Sequence, residues 1–270
     1  MRSAVTISLV PQAQGGPFVF WDDLAASCGK AAALGFDAVE VFAPPAEAVA
    51  ESVLRPLLDR HGLRMAALGT GGGWVVHKLT LTSPDPAVRT RGVEFIRSLI
   101  NAGAPFGAPV IVGSMQGRWG EGVSRETALG WLREGLSQLG EHAERLGVPL
   151  LFEPLNRYET NLVNTLADGV AVLRTLPMPN VKLLADLFHM NIEESDVAAA
   201  LQEAGAAVGH VHLADSNRRP AGKGHTDFQA VATALAAISY NGYLSAECLP
   251  YPDPDAAAAA TITAFKRFFS

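Results

Sequence analysis

Eight short segments rich in β-branched and apolar residues recur along the 270-residue chain, and longer segments with helical periodicity separate them. The predicted strands are residues 5–10, 38–42, 64–68, 109–112, 148–152, 181–185, 208–213 and 243–246. Helices are predicted over residues 21–34, 46–60, 87–102, 128–146 and 227–238, among others. This repeated strand and helix order predicts a (β/α)8 TIM barrel, with a doubly wound parallel sheet as the alternative.

Capping residues mark several of the predicted helix ends. Asp85 and Asp253 each precede a proline, which places an N-cap acceptor before a residue suited to the first helical position. Thr226 and Gln229 have the spacing of a capping box. Glycines stand where helices are expected to stop, at Gly35, Gly62, Gly147 and Gly242. Because no linker rich in Pro, Gly or Ser interrupts the pattern, residues 1–270 are expected to form one barrel domain.

Composition narrows the classes of function. Hydrophobic residues make up 49% of the chain and charged residues 18%, which is enough apolar material for a large core. The net charge of -6 gives no general attraction for nucleic acid or anionic membranes, so neither is expected as a partner. Two cysteines, Cys28 and Cys248, do not suggest a disulfide framework. With no signal-peptide pattern and no apolar stretch of membrane-spanning length, a cytoplasmic location is predicted.

Four successive predicted strands, the fifth to the eighth, end in a residue that can bind a metal ion. These residues are Glu153, Asp186, His212 and Glu247. The active site of a barrel lies at the carboxyl ends of its strands, so the four side chains are expected to converge. One such residue alone is as readily a buried carboxylate held by a salt bridge, but four together indicate a divalent metal. Three carboxylates and one imidazole suit Mn²⁺, Mg²⁺ or Co²⁺ better than a thiolate-bound structural zinc.

Other polar residues lie close to these strand ends in the sequence. His210 shares a strand face with His212 but lies deeper, so an interior hydrogen-bonding role is predicted for it. His189 is expected at the rim of the site, in contact with substrate. Arg218 lies in the loop after His212, where a guanidinium could bind hydroxyl or phosphate oxygens, although loop arginines are also often plain surface charges.

A glycine-rich stretch, residues 69–73, follows the third predicted strand but lacks the Lys-Ser/Thr ending of a phosphate-binding loop. A mobile loop at the barrel mouth is predicted there. Trp74 or Trp119 is available as an apolar wall against the carbon face of a sugar. Gln116 and Arg118 are predicted to face the same opening.

Three motifs in order, residues 153–160, 186–194 and 210–219, are followed by Glu247. Together they resemble the motifs of the xylose isomerase-like barrel superfamily, and most closely those of the ketose 3-epimerases that act on D-tagatose, D-psicose or L-ribulose. The resemblance implies that Glu153, Asp186, His212 and Glu247 bind the metal, and that Glu153 and Glu247 are the catalytic acid/base pair. It further implies that the substrate is held by Glu159, His189 and Arg218.

The implied reaction is epimerisation of a ketose at C3. Polarisation of the carbonyl acidifies the C3 proton; one glutamate removes it to give a cis-enediolate, and the other returns a proton to the opposite face. The resemblance implies one divalent ion, with Mn²⁺ first and Mg²⁺ or Co²⁺ as alternatives, and no organic cofactor. The partner would be a small-molecule sugar, and a homo-oligomer, a dimer or a tetramer, is common among such relatives.

Four other functions fit parts of the pattern. An aldose-ketose or hydroxypyruvate-type isomerase would use the same site and return the proton to the neighbouring carbon. An inosose-type dehydratase would expel a hydroxyl group instead. A DNA-repair enzyme like endonuclease IV would need more histidine ligands for its three zinc ions and a DNA-binding face, which the acidic balance disfavours. A catalytically silent sugar-binding barrel would not require two facing glutamates.

Overall fold

Eight parallel strands form a closed barrel in a computed structural model of the protein, which describes residues 1–21 and 23–270. The barrel strands are β1 (Arg2–Ser8), β3 (Ala38–Phe42), β4 (Arg64–Gly69), β5 (Val110–Val112), β6 (Leu150–Phe152), β7 (Val181–Asp186), β8 (Val208–His212) and β9 (Tyr243–Ala246). Each pairs with the next, and β9 pairs with β1 to close the sheet. A further two-residue strand, β2 (Phe20–Trp21), pairs with β1. The predicted (β/α)8 barrel is therefore confirmed, and the doubly wound alternative is wrong.

Helices surround the barrel. In the described part of the chain they are α1 (Leu24–Leu34), α2 (Glu51–His61), α3 (Gly72–His77), α4 (Pro86–Gly103), α5 (Arg125–Arg145), α6 (Leu166–Leu173), α7 (Leu187–Glu193), α8 (Val197–Ala204), α9 (Phe228–Ala237) and α10 (Pro254–Phe268). The predicted helices correspond to α1, α2, α4, α5 and α9. The predicted helix 21–34 starts too early: Trp21 belongs to β2, residue 22 lies outside the described residues, and α1 begins at Leu24.

The core is divided between the inside of the barrel and the layer under the helices. Alternate residues of a strand point to opposite sides of a sheet. On β5, Val110 and Val112 therefore pack in the large cluster beneath the helices, whereas Ile111 joins a small separate cluster. That small cluster consists of Ala67, Ile111, Leu151 and Leu184, one residue from each of β4 to β7. Side chains therefore fill the barrel interior, and the residues at the strand ends rest on a packed core.

Most of the predicted helix ends are present. Asp85 accepts a hydrogen bond from the Ala87 amide and Asp253 from the Ala256 amide, each at 2.8 Å. Gly35, Gly62 and Gly147 adopt positive φ after their helices, as predicted.

Two of the predicted ends are wrong. The cap of α9 is Asp227 rather than Thr226: Asp227 Oδ1 accepts from the Ala230 amide at 3.0 Å, whereas the Thr226 hydroxyl oxygen accepts from Asn191 Nδ2 at 2.9 Å. Gly242 is not a helix end either, since α9 stops at Ala237.

The glycine-rich stretch is the start of a helix and not the predicted loop. Residues 72–77 form α3, directly above β4. A Cβ on Gly71 would lie 2.5 Å from the Phe42 ring, and one on Gly72 would lie 2.5 Å from the Ala43 carbonyl oxygen. Close packing against the chain after β3 therefore explains why glycine occupies these positions despite its poor helix propensity.

Two predictions about the environment of the chain can be compared with the structure. Cys28 and Cys248 are both buried free thiols, in agreement with the absence of a disulfide framework. Among the described residues, none of the helices combines the length and the apolar character that crossing a bilayer requires.

Candidate active site

The four predicted metal ligands lie together at the carboxyl ends of neighbouring strands. Asp186 and His212 are the last residues of β7 and β8, while Glu153 and Glu247 directly follow β6 and β9. One donor atom from each side chain lies within 4.8 Å of the others. Because parallel neighbouring strands end at the same rim, adjacent positions along four strands become one cluster in space.

Asp186 serves both the fold and the cluster. Its Oδ1 accepts hydrogen bonds from the amides of Phe188 at 2.8 Å and His189 at 3.1 Å, and so caps α7. Its Oδ2 is left to face Arg218 Nη2 at 3.3 Å and the His212 ring. Burial alone would raise the pKa of Asp186, but the Arg218 and His189 charges outweigh it and hold the pKa well below its usual range. Asp186 is therefore a carboxylate with one oxygen fixed and one available.

His212 lies at the centre of the cluster. Its Nδ1 is 3.2 Å from Asp186 Oδ2, 3.3 Å from Glu247 Oε2 and 3.6 Å from Glu153 Oε1. Its Nε2 points the other way and lies 3.0 Å from Glu40 Oε1. Burial alone would lower the pKa of His212, but the carboxylates of Glu247 and Glu40 raise it well above its usual value.

Glu40 is a site residue that the sequence reasoning missed. It lies on β3, is 4% exposed, and contacts His210 Nε2 through Oε2 at 2.8 Å as well as His212 through Oε1. A single carboxylate in the middle of the apolar segment 38–42 was the available signal. The predicted interior hydrogen-bonding role of His210 is confirmed by this contact.

Glu153 is enclosed by two residues of the segment after β5. A Cβ on Gly113 would collide with the Glu153 carboxylate, so a larger residue there would force that carboxylate to move. Gln116 Nε2 donates to the Glu153 carbonyl oxygen at 2.9 Å. The prediction that Gln116 faces the opening is wrong, because its side chain is fully buried beneath the site. Burial, opposed by the His212 charge and reinforced by Glu247, raises the pKa of Glu153 well above its usual value.

Arg218 lies over the cluster from the loop after β8. Its Nη2 donates to Glu247 and to Asp186, and its Nη1 lies 3.2 Å from His189 Nε2. The guanidinium carbon is 4.6 Å from the centre of the Phe188 ring. Arg218 adopts φ 58, a left-handed conformation, and its backbone amide donates to the Asp215 carbonyl oxygen at 2.8 Å. The side chain is therefore a buried cation and not the plain surface charge that is common in loops.

The other two predicted substrate residues flank Arg218. His189 is buried in the first turn of α7, with Nδ1 2.7 Å from Asn156 Nδ2 and Nε2 3.9 Å from Glu153 Oε1. Glu159 accepts from Asn156 Nδ2 at 3.0 Å, and its Oε1 lies 3.9 Å from Arg218 Nη1. Burial lowers the pKa of His189, opposed by the charge of Asp186. Glu159, His189 and Arg218 thus line one side of the same cavity.

The cavity above the strand ends has a volume of about 980 Å³. Its lining includes the two tryptophans singled out from the sequence, Trp74 and Trp119, together with Arg118. Trp119 is held by Asn161, which accepts from its indole Nε1 at 2.8 Å and from its amide at 3.0 Å. Its side chain is anchored at the polar edge and presents apolar surface to the cavity, which suits a ligand with one apolar face.

The residues of the cluster fit a divalent cation. Three carboxylates and one imidazole nitrogen are hard or borderline donors of the kind that Mn²⁺, Mg²⁺ and Co²⁺ accept. The imidazole has its second nitrogen occupied by Glu40, so only Nδ1 faces the carboxylates. Arg218 is the nearby cation that balances part of the negative charge in this structure.

The chain is similar in sequence to a known family and to named proteins. The chain matches the xylose isomerase-like TIM barrel family over residues 28–268, and it belongs to that family. It is 35% identical to the D-psicose 3-epimerase of Agrobacterium fabrum over 217 residues, which cover 79% of this chain and 75% of that one. It is 34% identical to the L-ribulose 3-epimerase of Mesorhizobium japonicum, over 79% of this chain and 71% of that one.

A solved structure supports the same relationship. The D-allulose 3-epimerase from Methylomonas sp. superposes with a TM-score of 0.83 at 26% sequence identity, covering 99% of this chain and 98% of that one. The family inferred from the three motifs is therefore confirmed. The chain is an isomerase of the sugar-epimerase class.

Proposed function

We propose that the protein epimerises a ketose at C3, with a divalent metal held by Glu153, Asp186, His212 and Glu247. The observation that carries the proposal is the position of the two glutamates. Glu153 follows β6 and Glu247 follows β9, with β7 and β8 between them, yet both carboxylates lie within 3.6 Å of the same His212 nitrogen. Two carboxylates that enter one small volume from separate strands can address the two faces of a planar intermediate.

The proton transfers balance without a redox cofactor. A bound divalent ion would supply electrophilic polarisation of the ketose carbonyl. One glutamate takes the proton from C3, and the electrons of that C–H bond form the C2–C3 double bond of a cis-enediolate while the carbonyl electrons move to O2. The other glutamate gives a proton to C3 from the opposite face, and the carbonyl reforms. Positioned acid/base groups of this kind contribute roughly 10²- to 10⁴-fold to the rate.

The remaining residues orient the sugar. Arg218 and His189 present nitrogen atoms, and Glu159 carboxylate oxygens, beside Glu153 and Glu247. Such groups can form charge-assisted hydrogen bonds with sugar hydroxyls. Trp119 offers the apolar surface against which the carbon face of the ketose would lie.

The test is turnover of free ketoses in D₂O, with deuterium located by NMR. The protein would be treated with a chelator and then given Mn²⁺, Mg²⁺ or Co²⁺. Metal-dependent deuterium at C3, together with formation of the C3 epimer, is the expected result. Deuterium at C1 or C2 with an aldose product would instead identify an aldose-ketose isomerase. No exchange into any ketose by metal-loaded protein would refute the proposal.

Two variants test the acid/base pair. Glu153→Gln and Glu247→Gln are each expected to reduce turnover by at least roughly 10²-fold, because each removes one proton carrier. Glu134→Gln is the matched control, since Glu134 is an exposed residue of α5 whose side chain, within residues 1–21 and 23–270, bonds only Gln138. Ketose binding that persists in the two glutamine variants would separate loss of chemistry from loss of the site. Full turnover in either variant would exclude its glutamate as an acid or base.

A further inference from the structure

We propose that Glu40 is a positioning residue, which fixes the His212 ring so that Nδ1 is the nitrogen available to the metal. The inference rests on the proposed function, because it presupposes a metal at the cluster. Glu40 lies on β3, which in the closed barrel is separated from β8 by β9 and β1. The Glu40 carboxylate thus contacts His212 across the barrel interior.

The two nitrogens of His212 face different environments. Nε2 lies 3.0 Å from Glu40 Oε1, whereas Nδ1 lies between the carboxylates of Asp186 and Glu247. A neutral imidazole carries one proton, and an ionised carboxylate can only accept a hydrogen bond. Glu40 therefore favours the tautomer with the proton on Nε2, which leaves the Nδ1 lone pair pointing at the cluster. Carboxylate groups commonly orient metal-binding histidines in this way.

The Glu40 contact disfavours the other tautomer of His212, in which Nδ1 carries the proton. With the proton on Nδ1, His212 would donate to Asp186 Oδ2 at the observed distance of 3.2 Å. That hydrogen bond would occupy two of the proposed ligand atoms at once, the imidazole nitrogen and the carboxylate oxygen. The Glu40 contact opposes it, because the Nδ1 tautomer would leave a buried carboxylate facing a bare nitrogen lone pair.

His210 completes the arrangement by holding Glu40 itself. Its Nε2 lies 2.8 Å from Glu40 Oε2, so each carboxylate oxygen has its own imidazole partner. All three residues are buried, Glu40 being 4% exposed and each histidine 1%. The carboxylate is thereby prevented from rotating away from His212, and the pair of Glu40 and His210 sets the orientation of the ring from the side opposite Nδ1.

Metal affinity measured without substrate tests the proposal. Glu40→Gln preserves the size of the side chain, but its amide can accept a hydrogen bond from only one of the two histidines. The Kd for Mn²⁺, determined by titration followed by EPR, is expected to rise roughly 10- to 100-fold, as is typical when the outer partner of a metal ligand is lost. At saturating Mn²⁺ the variant should recover most of the wild-type kcat, because both glutamates of the acid/base pair remain.

The matched control is Asp37→Asn. Asp37 immediately precedes β3 and accepts hydrogen bonds from the Ser3 amide and hydroxyl at the opposite end of the barrel. The substitution therefore removes a carboxylate near β3 that has no contact with His212. Its Kd for Mn²⁺ should equal that of the wild type. A folded Glu40→Gln protein with an unchanged Kd would overturn the role of Glu40 while leaving the metal site intact. A wild-type protein that binds no Mn²⁺ would overturn the metal site and this inference together.

A second measurement needs no variant. In wild-type protein loaded with diamagnetic Mg²⁺, the ¹⁵N shifts of His212 report which nitrogen carries the proton. The proton is expected on Nε2, with Nδ1 unprotonated. A proton on Nδ1 and a bare Nε2 would contradict the proposal even if Glu40→Gln fails to fold.

Discussion

Replacement of Arg218 by methionine should destabilise the metal-free protein far more than the metal-loaded protein. The guanidinium is buried, with 12% of its side chain exposed, and it contacts the Asp186 and Glu247 carboxylates. Removing one partner of a buried ion pair costs about 3–5 kcal/mol, because the other charge is left uncompensated. Methionine retains much of the apolar stem beside Phe188, so the electrostatic loss dominates.

The expected change in melting temperature follows from the size of the chain. An unfolding entropy of about 2.1 cal/mol/K per residue corresponds to roughly 0.57 kcal/mol/K for this protein. A loss of about 3–5 kcal/mol should therefore lower the Tm of the metal-free variant by roughly 5–9 °C. With saturating Mn²⁺ the ion supplies the missing positive charge, so the difference in Tm between variant and wild type should become smaller.

The assay is scanning calorimetry of both proteins, once with EDTA and once with Mn²⁺. The stabilisation by Mn²⁺ should be larger for Arg218→Met than for the wild type. Arg219→Met is the matched control, because the Arg219 guanidinium lies 4.2 Å from the centre of the half-exposed Tyr251 ring and forms no salt bridge with a carboxylate of the described residues. Its Tm should stay close to that of the wild type. An equal loss of Tm for Arg218→Met with and without metal would show that Arg218 does not balance the charge of the cluster.

Two further predictions concern the loop and the cavity. Asp215 accepts hydrogen bonds from the backbone amides of Ser216, Gly222, Gly224 and Thr226. The side-chain amide of Asn has only one accepting oxygen, so Asp215→Asn should lower the free energy of unfolding by about 3 kcal/mol, measured by urea unfolding at pH 7. Burial alone would raise the pKa of Asp215, but these amides lower it below its usual value. As the pH falls, Asp215 is therefore protonated in the unfolded chain before it is protonated in the folded one. The difference in free energy of unfolding between wild type and variant should then narrow below about pH 4. A difference that widens in acid would contradict this. Trp119→Ala should raise KM about fivefold, for a loss on the order of 1 kcal/mol of contact energy, with little change in kcat; a fall in kcat at unchanged KM would show that Trp119 acts on the chemical step instead.

The clustered residues that the sequence predicted are those whose position depends on local pattern. Asp186 and His212 end apolar segments, and the rule that barrel strands end at one rim is sufficient to bring them together. Glu40 and Gly113 could not be found in that way, because their meaning depends on side chains from distant strands. Glu40 matters through His212, which is 172 positions away in the chain, and Gly113 matters because the Glu153 carboxylate occupies the space of its missing side chain.

Helix α3 is a segment where the local sequence pattern gave a wrong prediction. Local propensity is against a helix that begins at Gly72, and the sequence pattern indicated a loop there. Close contacts with Phe42 and Ala43 leave no room for side chains, and the backbone forms a helix under that packing constraint. Tertiary contact therefore overrides propensity at the barrel mouth, where the wall of the cavity is built.

The two halves of the chain contribute differently to the cavity. The proposed metal ligands and substrate contacts all lie between residues 153 and 247: they are Glu153, Glu159, Asp186, His189, His212, Arg218 and Glu247. The facing wall comes from earlier residues, among them Phe18, Trp74, Arg118 and Trp119. A barrel allows this division because each loop is anchored to its own strand, so one wall can change shape while the strand ends opposite keep their geometry. We therefore expect the reaction to be set by the second half and the choice of ketose by the first. Substitutions at Trp74 or Arg118 should then alter the relative kcat/KM values for different ketoses while leaving the affinity for Mn²⁺ unchanged.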